Sequence, residues 1–291
     1  MATLNRKIDF AVIVSVKNAN PNGDPLDGNR PRTDYEGFGE ITDVCLKRKI
    51  RDRLLENGRN IFVQSDDHKT DEHPNLRRRA EAALENLRNV PDIRSKACAT
   101  WFDVRAFGQV FPFKGSERKN KKNQDGAAAE DSSSGAGVSI AIRGPVSIQP
   151  AFTVERIRGH IISEQITKST SLEGDGITRQ SDQMGMKHRI GKEAVYVTYG
   201  SMNPQLAERT GFSDDDAAII KEVLPRLFEN DASSARPEGS MAVRKVIWWE
   251  HNCKAGQYSS ARVHNTLIVN TDGTYSLGNL DGLEPQEIDG F

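Results

Sequence analysis

The sequence predicts an α+β fold: a central sheet with helices on one face, elaborated by two long excursions. Three observations carry this. Ile8 to Val16 alternates around a β-branched core, as a central strand does. Leu46, Ile50 and Leu54 stand at i, i+4 spacing after Thr42, the apolar stripe of a helix. Further strand-like runs then interleave with few helices, and two long polar segments interrupt them.

Taken in order, the first strand ends in a turn-rich loop, Asn20-Pro21-Asn22-Gly23-Asp24-Pro25, followed by Arg30-Pro31-Arg32. Thr42 is a good helix N-cap, Asp43 suits the first turn and Gly58 is a good stop. A second helix is expected at about 75–89, with Leu76, Ala80, Leu84 and Leu87 inward and Arg77-Arg78-Arg79 as surface. Asp103 to Phe107 reads as a short strand ending at Gly108. Residues 114–137 are low-complexity and read as a mobile insertion. Val138 to Ile148, broken at Gly144-Pro145, reads as a strand or bent hairpin. Ile161 to Ile166 and Ala194 to Tyr199 read as strands flanking a polar excursion. Ser213 caps a third helix with Ile219, Ile220, Val223, Leu224 and Leu227 inward, interrupted at Pro225. Val243 to Trp249 and Val263 to Val269 are late strands, and Asp272-Gly273 turns into Thr274 to Leu277. A ferredoxin-like βαββαβ core is compatible with this order.

Composition narrows the function. The chain has 291 residues, 36% of them apolar and 28% charged, with a net charge of −1, so it is not a uniformly basic nucleic-acid coat. The charge is nevertheless segregated. Residues 43–53 hold five Lys/Arg against two Asp, residues 187–192 hold three Lys/Arg plus His188, and no Lys or Arg follows Arg262. Separated signs suit one basic groove, or stacking of copies. No apolar run has membrane-span length, and the three dispersed cysteines suit reduced thiols in a cytosol.

Several motifs are read against simpler explanations. No Gly-x-x-x-x-Gly-Lys-Ser/Thr loop and no Gly-x-Ser-x-Gly elbow occurs, and no cofactor is expected. Asp66-Asp67-His68 to Asp71-Glu72-His73 contains metal-ligand types but lies in a polar loop and reads as surface. Asp24 is either a metal-bound carboxylate or general base, or ordinary turn chemistry, and spacing favours the turn. Trp248 and Trp249 are adjacent in a strand, so they face opposite sides. The stronger constellation is three basic elements: the Arg30/Arg32 loop, the helix with Lys47, Arg48, Lys49 and Arg51, and the excursion with Lys187 and Arg189. Loop N–H groups and fixed cations can hold a phosphate backbone. Met184 and Met186 could wedge between bases or pack the excursion onto its neighbour.

These motifs, with Asp103-Val104-Arg105-Ala106-Phe107-Gly108, Gln165-Ile166-Thr167-Lys168-Ser169 and Asp231-Ala232-Ser233-Ser234-Ala235-Arg236, resemble the CRISPR-associated family of repeated backbone subunits in type I-C Cascade complexes. The resemblance implies a hand-like chain. A modified RNA-recognition-type (RRM), ferredoxin-like palm would comprise 1–59, 101–161 and 193–291, with helical fingers at about 60–100 and a thumb hairpin at about 162–192. It implies a non-catalytic subunit that binds CRISPR RNA (crRNA), stacks on copies of itself beside other Cascade subunits, and presents the guide to target DNA. Guide contact is carried over to Asn20, Asn22, Arg30, Arg32, Lys47, Arg48, Lys49 and Arg51, and to Lys168, Ser169, Met184, Met186, Lys187 and Arg189. Two alternatives remain: a metal-dependent ribonuclease centred on Asp24, and a protein-only scaffold.

Overall fold

Strand β1 (Ile8–Val16) is buried on both faces, because its β-branched residues sit in the middle of a sheet covered on both sides. Phe10, Val12, Val14 and Val16 enter one core, and Ala11 and Ile13 enter another on the opposite face. The computed structural model describes residues 2–84, 90–113, 138–168 and 183–291. Pro112, Phe113, Val138, Thr167, Lys168, Gln183 and Met184 are described as backbone only.

After β1 come the short strands β2 (Gly23–Asp24) and β3 (Arg30–Pro31), then β4 (Phe38–Ile41) and helix α1 (Asp43–Glu56). Helices α2 (Leu76–Ala83), α3 (Val90–Thr100) and α4 (Phe102–Phe107) lead to β5 (Gly108–Phe113). Then follow β6 (Val138–Arg143), β7 (Val146–Ile148), β8 (Ala151–Arg156), β9 (Ile161–Lys168), β10 (Gln183–Ile190) and β11 (Ala194–Met202). Helices α5 (Pro204–Thr210) and α6 (Asp214–Val223) precede β12 (Met241–Glu250). The chain finishes with α7 (Ser260–His264), β13 (Leu267–Val269), β14 (Tyr275–Leu277) and β15 (Pro285–Asp289).

The main sheet runs β15-β12-β1-β11-β8-β4, with β7 also paired to β11, and every pairing is antiparallel. On one face α1 contributes Leu46, Ile50 and Leu54, and α6 contributes Ala217, Ile220 and Val223. Burying each large apolar side chain is worth roughly 2 kcal/mol. The other face is covered too, by Val263 of α7 and Leu267 of β13, so helices on one face alone is corrected. Trp248 and Trp249 enter opposite cores as expected. Trp248 stacks on Phe10 at 5.7 Å between ring centroids. A third core gathers Phe62 from the segment before α2, Trp101 from the junction of α3 and α4, and Phe111 and Ile142 from the paired strands β5 and β6.

The helix expected at 75–89 is described as α2, ending at Ala83; Leu87 lies outside the described residues. Helix α3 falls within 60–100, where the resemblance implied helical fingers. Arg79 is buried rather than surface, because the Asp71 carboxylate accepts from Nε (2.6 Å) and Nη2 (2.8 Å). Asp103 to Phe107 is helical, not a strand: over so few residues, burial of Phe102 and Ala106 at i, i+4 and alternation look alike. Val138 to Ile148 is not one hairpin, since β6 pairs with β5 and β7 with β11. Gly144 permits the change of sheet, because a Cβ there would overlap the Ala106 carbonyl. Val263 to Val269 splits into the end of α7 and the short β13. The segment 114–137 lies outside the described residues.

Candidate nucleic-acid interface

Registers gather several polar elements at one end of the sheet. Val16 pairs with Ala194 on one side and Met241 on the other, and Phe38 pairs with Arg156. The end of β1 is therefore also where the 17–36 loop leaves, where β9/β10 attaches, and where β8 passes to β9. The hairpin base is pinned by Ile190 N–H to the Ala19 carbonyl (2.9 Å) and Gly191 N–H to the His160 carbonyl (2.9 Å). Its strand β10 packs beside β3.

The loop is held by its asparagines. Asn20 is buried; its N–H donates to the Ala235 carbonyl (2.8 Å) and its Nδ2 to the Asn29 carbonyl (2.7 Å). Asn22 Oδ1 accepts from both the N–H and the Oγ1 of Thr42, each at 2.9 Å. Thr42 Oγ1 in turn accepts from Cys45 N–H, so one threonine caps α1 and fastens the loop. Asn20 and Asn22 thus shape the loop, while Arg30 is exposed and Arg32 is 29% exposed. Asp24 does turn work: its Oδ1 accepts from Leu26 N–H (3.0 Å) and lies 3.4 Å from Arg32 Nη2.

The cations of α1 are distributed differently from one another. Lys47 pairs with Asp43 at 2.9 Å, a partly exposed i, i+4 pair worth little. Arg48 pairs with Asp52 (2.6 Å) and lies 3.7 Å from Asp231. Lys49 is 2% exposed and in ion-pair contact with Asp231. Burial, with Arg48 and Arg236 adding to it, pushes the Lys49 ammonium down to about 7. Arg51 is 13% exposed and bound to Asp103 at 3.0 Å, with its guanidinium over Phe107. Lys49 and Arg51 are built into the protein, whereas Lys47 pairs with the partly exposed Asp43 one turn before it on the same helix.

On the hairpin, Lys187 is partly exposed and Met186 is 54% exposed. Arg189 pairs with Glu164 and reaches Asn18 Oδ1 at 3.3 Å. Lys168 and Met184 are placed in the paired backbone, and Ser169 lies outside the described residues. The structure thus brings the Arg30/Arg32 loop beside the Lys187/Arg189 strand.

Sequence reasoning gave no role to Asp231. It also accepts Arg236 Nε at 3.2 Å, so a single carboxylate serves Arg48, Lys49 and Arg236. Its only signal was membership of the Asp231–Arg236 motif. Asp66, Asp67 and His68 form a short surface turn, and the described residues contain no metal-competent group of three His, Cys, Asp or Glu. Among the described residues no helix is long and apolar enough to cross a membrane.

The family model for CRISPR-associated protein Cas7 matches residues 6–284. The chain belongs to the Cas7 family. A CRISPR-associated protein Cas7 from Haloferax volcanii is 26% identical over 281 residues, covering 95% of this chain and 79% of that one. Among solved structures, a chain of a CRISPR RNA-guided surveillance complex, pre-nicking, has a TM-score of 0.46 at 15% identity, covering 92% of this chain and 84% of the other. A chain of the Type III-B Cmr-beta bound to cognate target RNA has a TM-score of 0.42 at 10% identity, covering 86% and 62%.

Proposed function

We propose that this Cas7-family chain is the non-catalytic backbone subunit of a type I-C Cascade complex in the cytoplasm. Copies line a crRNA guide, beside other Cascade subunits, and leave its bases to pair with target DNA. The observation that carries the reading is the packing of β10 beside β3, which sets Lys187 and Arg189 against the Arg30/Arg32 loop. That cluster suits a phosphate backbone, and backbone contact is blind to sequence, so any guide can be carried. Arg30, Arg32, Lys47 and Lys187 are the proposed phosphate contacts, with Arg189 at the hairpin base. Asn20 and Asn22 position the loop. Met186, together with Met184 and Lys168 further out, lies on the proposed thumb over the RNA, Ser169 is proposed as a further RNA contact, and α2 and α3 would form the fingers of the hand.

The non-catalytic reading is supported by Asp24, whose carboxylate is committed to Leu26 and Arg32. The subtype rests on motif order and is tested by which partner subunits co-purify from the native operon. The test of function is charge reversal at Arg30 and Lys187 together, in protein co-expressed with its operon. Loss of co-purifying RNA of uniform length, with an unchanged circular dichroism spectrum, supports the assignment. Retained RNA removes the loop-and-hairpin site. Magnesium-dependent cleavage of the bound RNA, abolished by Asp24→Ala, would replace the reading with a ribonuclease.

A further inference from the structure

At the end of the 17–36 loop, before the edge strand β4, Tyr35 is fully exposed on a tight turn. The turn is rigid. Asp34 N–H donates to the Phe38 carbonyl (2.9 Å), Phe38 N–H donates to Asp34 Oδ1 (2.9 Å), and Gly37 takes a left-handed φ of 92°. Both Ile157 N–H and Arg158 N–H donate to the Gly37 carbonyl, at 2.9 and 3.3 Å. The turn is thereby clamped to the segment carrying Arg156, Arg158 and His160, whose side chains are all exposed. Arg158 lies along Gly37, where an added Cβ would meet its Cβ at 3.2 Å. Arg156 places its guanidinium 5.6 Å from the centroid of the Phe38 ring. The turn carries two carboxylates: Asp34, whose Oδ1 accepts the Phe38 N–H, and Glu36, 4.0 Å from Arg156 with both side chains largely exposed, a pair worth little.

We infer that the Tyr35 turn, with Arg156 and Arg158, is a subsite for single-stranded nucleic acid in which the tyrosine stacks on a base and the arginines take the flanking phosphates. A large aromatic ring exposed on a fixed backbone serves no packing purpose within the chain. It costs little entropy to engage, and every base offers it a π-face. The adjacent guanidiniums supply sequence-blind backbone contact. The proposed guide site lies at the same end of the sheet, so the inference rests on that reading for the presence of a nucleic acid. The strand on Tyr35 is either the guide or a second strand brought to it.

The experiment measures anisotropy of labelled oligouridylate with guide-free protein. Tyr35→Ala should weaken binding about tenfold while Tyr35→Trp preserves it. Arg156→Glu with Arg158→Glu should flatten the slope of log affinity against log salt by about 1.4, as for two phosphates on a single strand. Wild-type binding that Tyr35→Ala leaves intact overturns the subsite alone. Wild-type protein that binds no oligonucleotide overturns the guide reading and this one with it. In the assembled complex, crosslinking of the 33–38 peptide to thiouridine in the guide, or to thiothymidine in an added target strand, supports the subsite and identifies the strand. Crosslinks that avoid this peptide in both cases overturn it.

Discussion

Arg51 donates Nε–H to Asp103 Oδ2 across 3.0 Å, and the Asp103 carboxylate also accepts the backbone N–H groups of Phe62 (2.7 Å) and Val63 (3.0 Å). One buried carboxylate therefore ties α1, the 60–63 segment and α4 together. Removing the charge with Asp103→Asn should cost roughly 3 kcal/mol, since breaking a buried pair strands its partner. In a chain of this size that lowers the Tm by several degrees. Arg51→Glu should lower it at least as much, by setting two carboxylates together. Lys47→Gln, which removes the cation without setting two carboxylates together, should leave the Tm nearly unchanged and weaken RNA binding. If thermal unfolding shows Arg51→Glu to be fully stable yet unable to bind RNA, Arg51 is a contact residue instead.

The carboxylate of Asp231 makes a second such junction, with three cations around it. Asp231→Ala leaves Arg48, Lys49 and Arg236 without it, and about 3–5 kcal/mol of destabilisation is expected. Lys49→Met removes a buried ammonium while Arg48 and Arg236 keep the carboxylate occupied. It should be near neutral alone, and it should recover part of the loss when combined with Asp231→Ala. Urea midpoints for the two single variants and the double variant close the cycle. Strict additivity would show that Lys49 and Asp231 do not interact.

What was legible in the sequence was local. The Ile8–Val16 alternation and the Leu46/Ile50/Leu54 stripe each encode their element in neighbouring residues, and Ser213 with Asp216 writes out a capping box. Arg105 was not legible: its guanidinium forks onto Asp216 at 2.8 and 2.9 Å, a contact between residues 111 positions apart. The site was half legible for the same reason. A run of cations reads alike whether it faces solvent, as Lys47 partly does, or pairs inward, as Lys49 does with Asp231. The motif order carried the family, since many weak local signals in sequence are jointly specific. Tyr35 carried no reading in the sequence, and only the turn geometry shows that it is presented while its neighbour Phe38 is partly covered.

Gly200 faces Phe10, and a Cβ on Gly200 would overlap the Phe10 ring, itself stacked on Trp248. Alanine usually improves a strand over glycine. Here the sign reverses, because the ring has core on every side. Gly200→Ala should destabilise by about 1–3 kcal/mol, and Phe10→Leu should relieve part of that when combined with it. Chemical denaturation of the three variants tests the relation, and a stabilised Gly200→Ala would refute it.

A buried polar cluster on the opposite face sets an acid limit to stability. Asp9 lies 2.8 Å from His251 Nε2, 3.1 Å from Lys7 Nζ and 3.6 Å from His264 Nε2. His251 Nδ1 accepts Gln257 N–H, so its proton sits on Nε2, facing Asp9. Burial pushes the Asp9 carboxyl up, but hydrogen bonds from His251, Ser260 and Lys7 outweigh it and hold the group below the usual carboxylate range. Burial pushes His264 down against the opposing pull of Asp9, and its ring stacks on Tyr199 at 4.8 Å. In the unfolded chain His264 takes up its proton near 6.5, above its folded value, so the unfolded state binds more protons just below that pH. Stability should therefore fall as pH drops from about 6.5 through the folded His264 value. Asp9 acts in the same direction lower down, losing its contribution below about 3.9 as pH falls through its own folded value. Urea midpoints across this range should decline with acidification, and His264→Gln should flatten the upper part of the decline while leaving the lower part. An unchanged upper slope in His264→Gln would assign that proton uptake to another group.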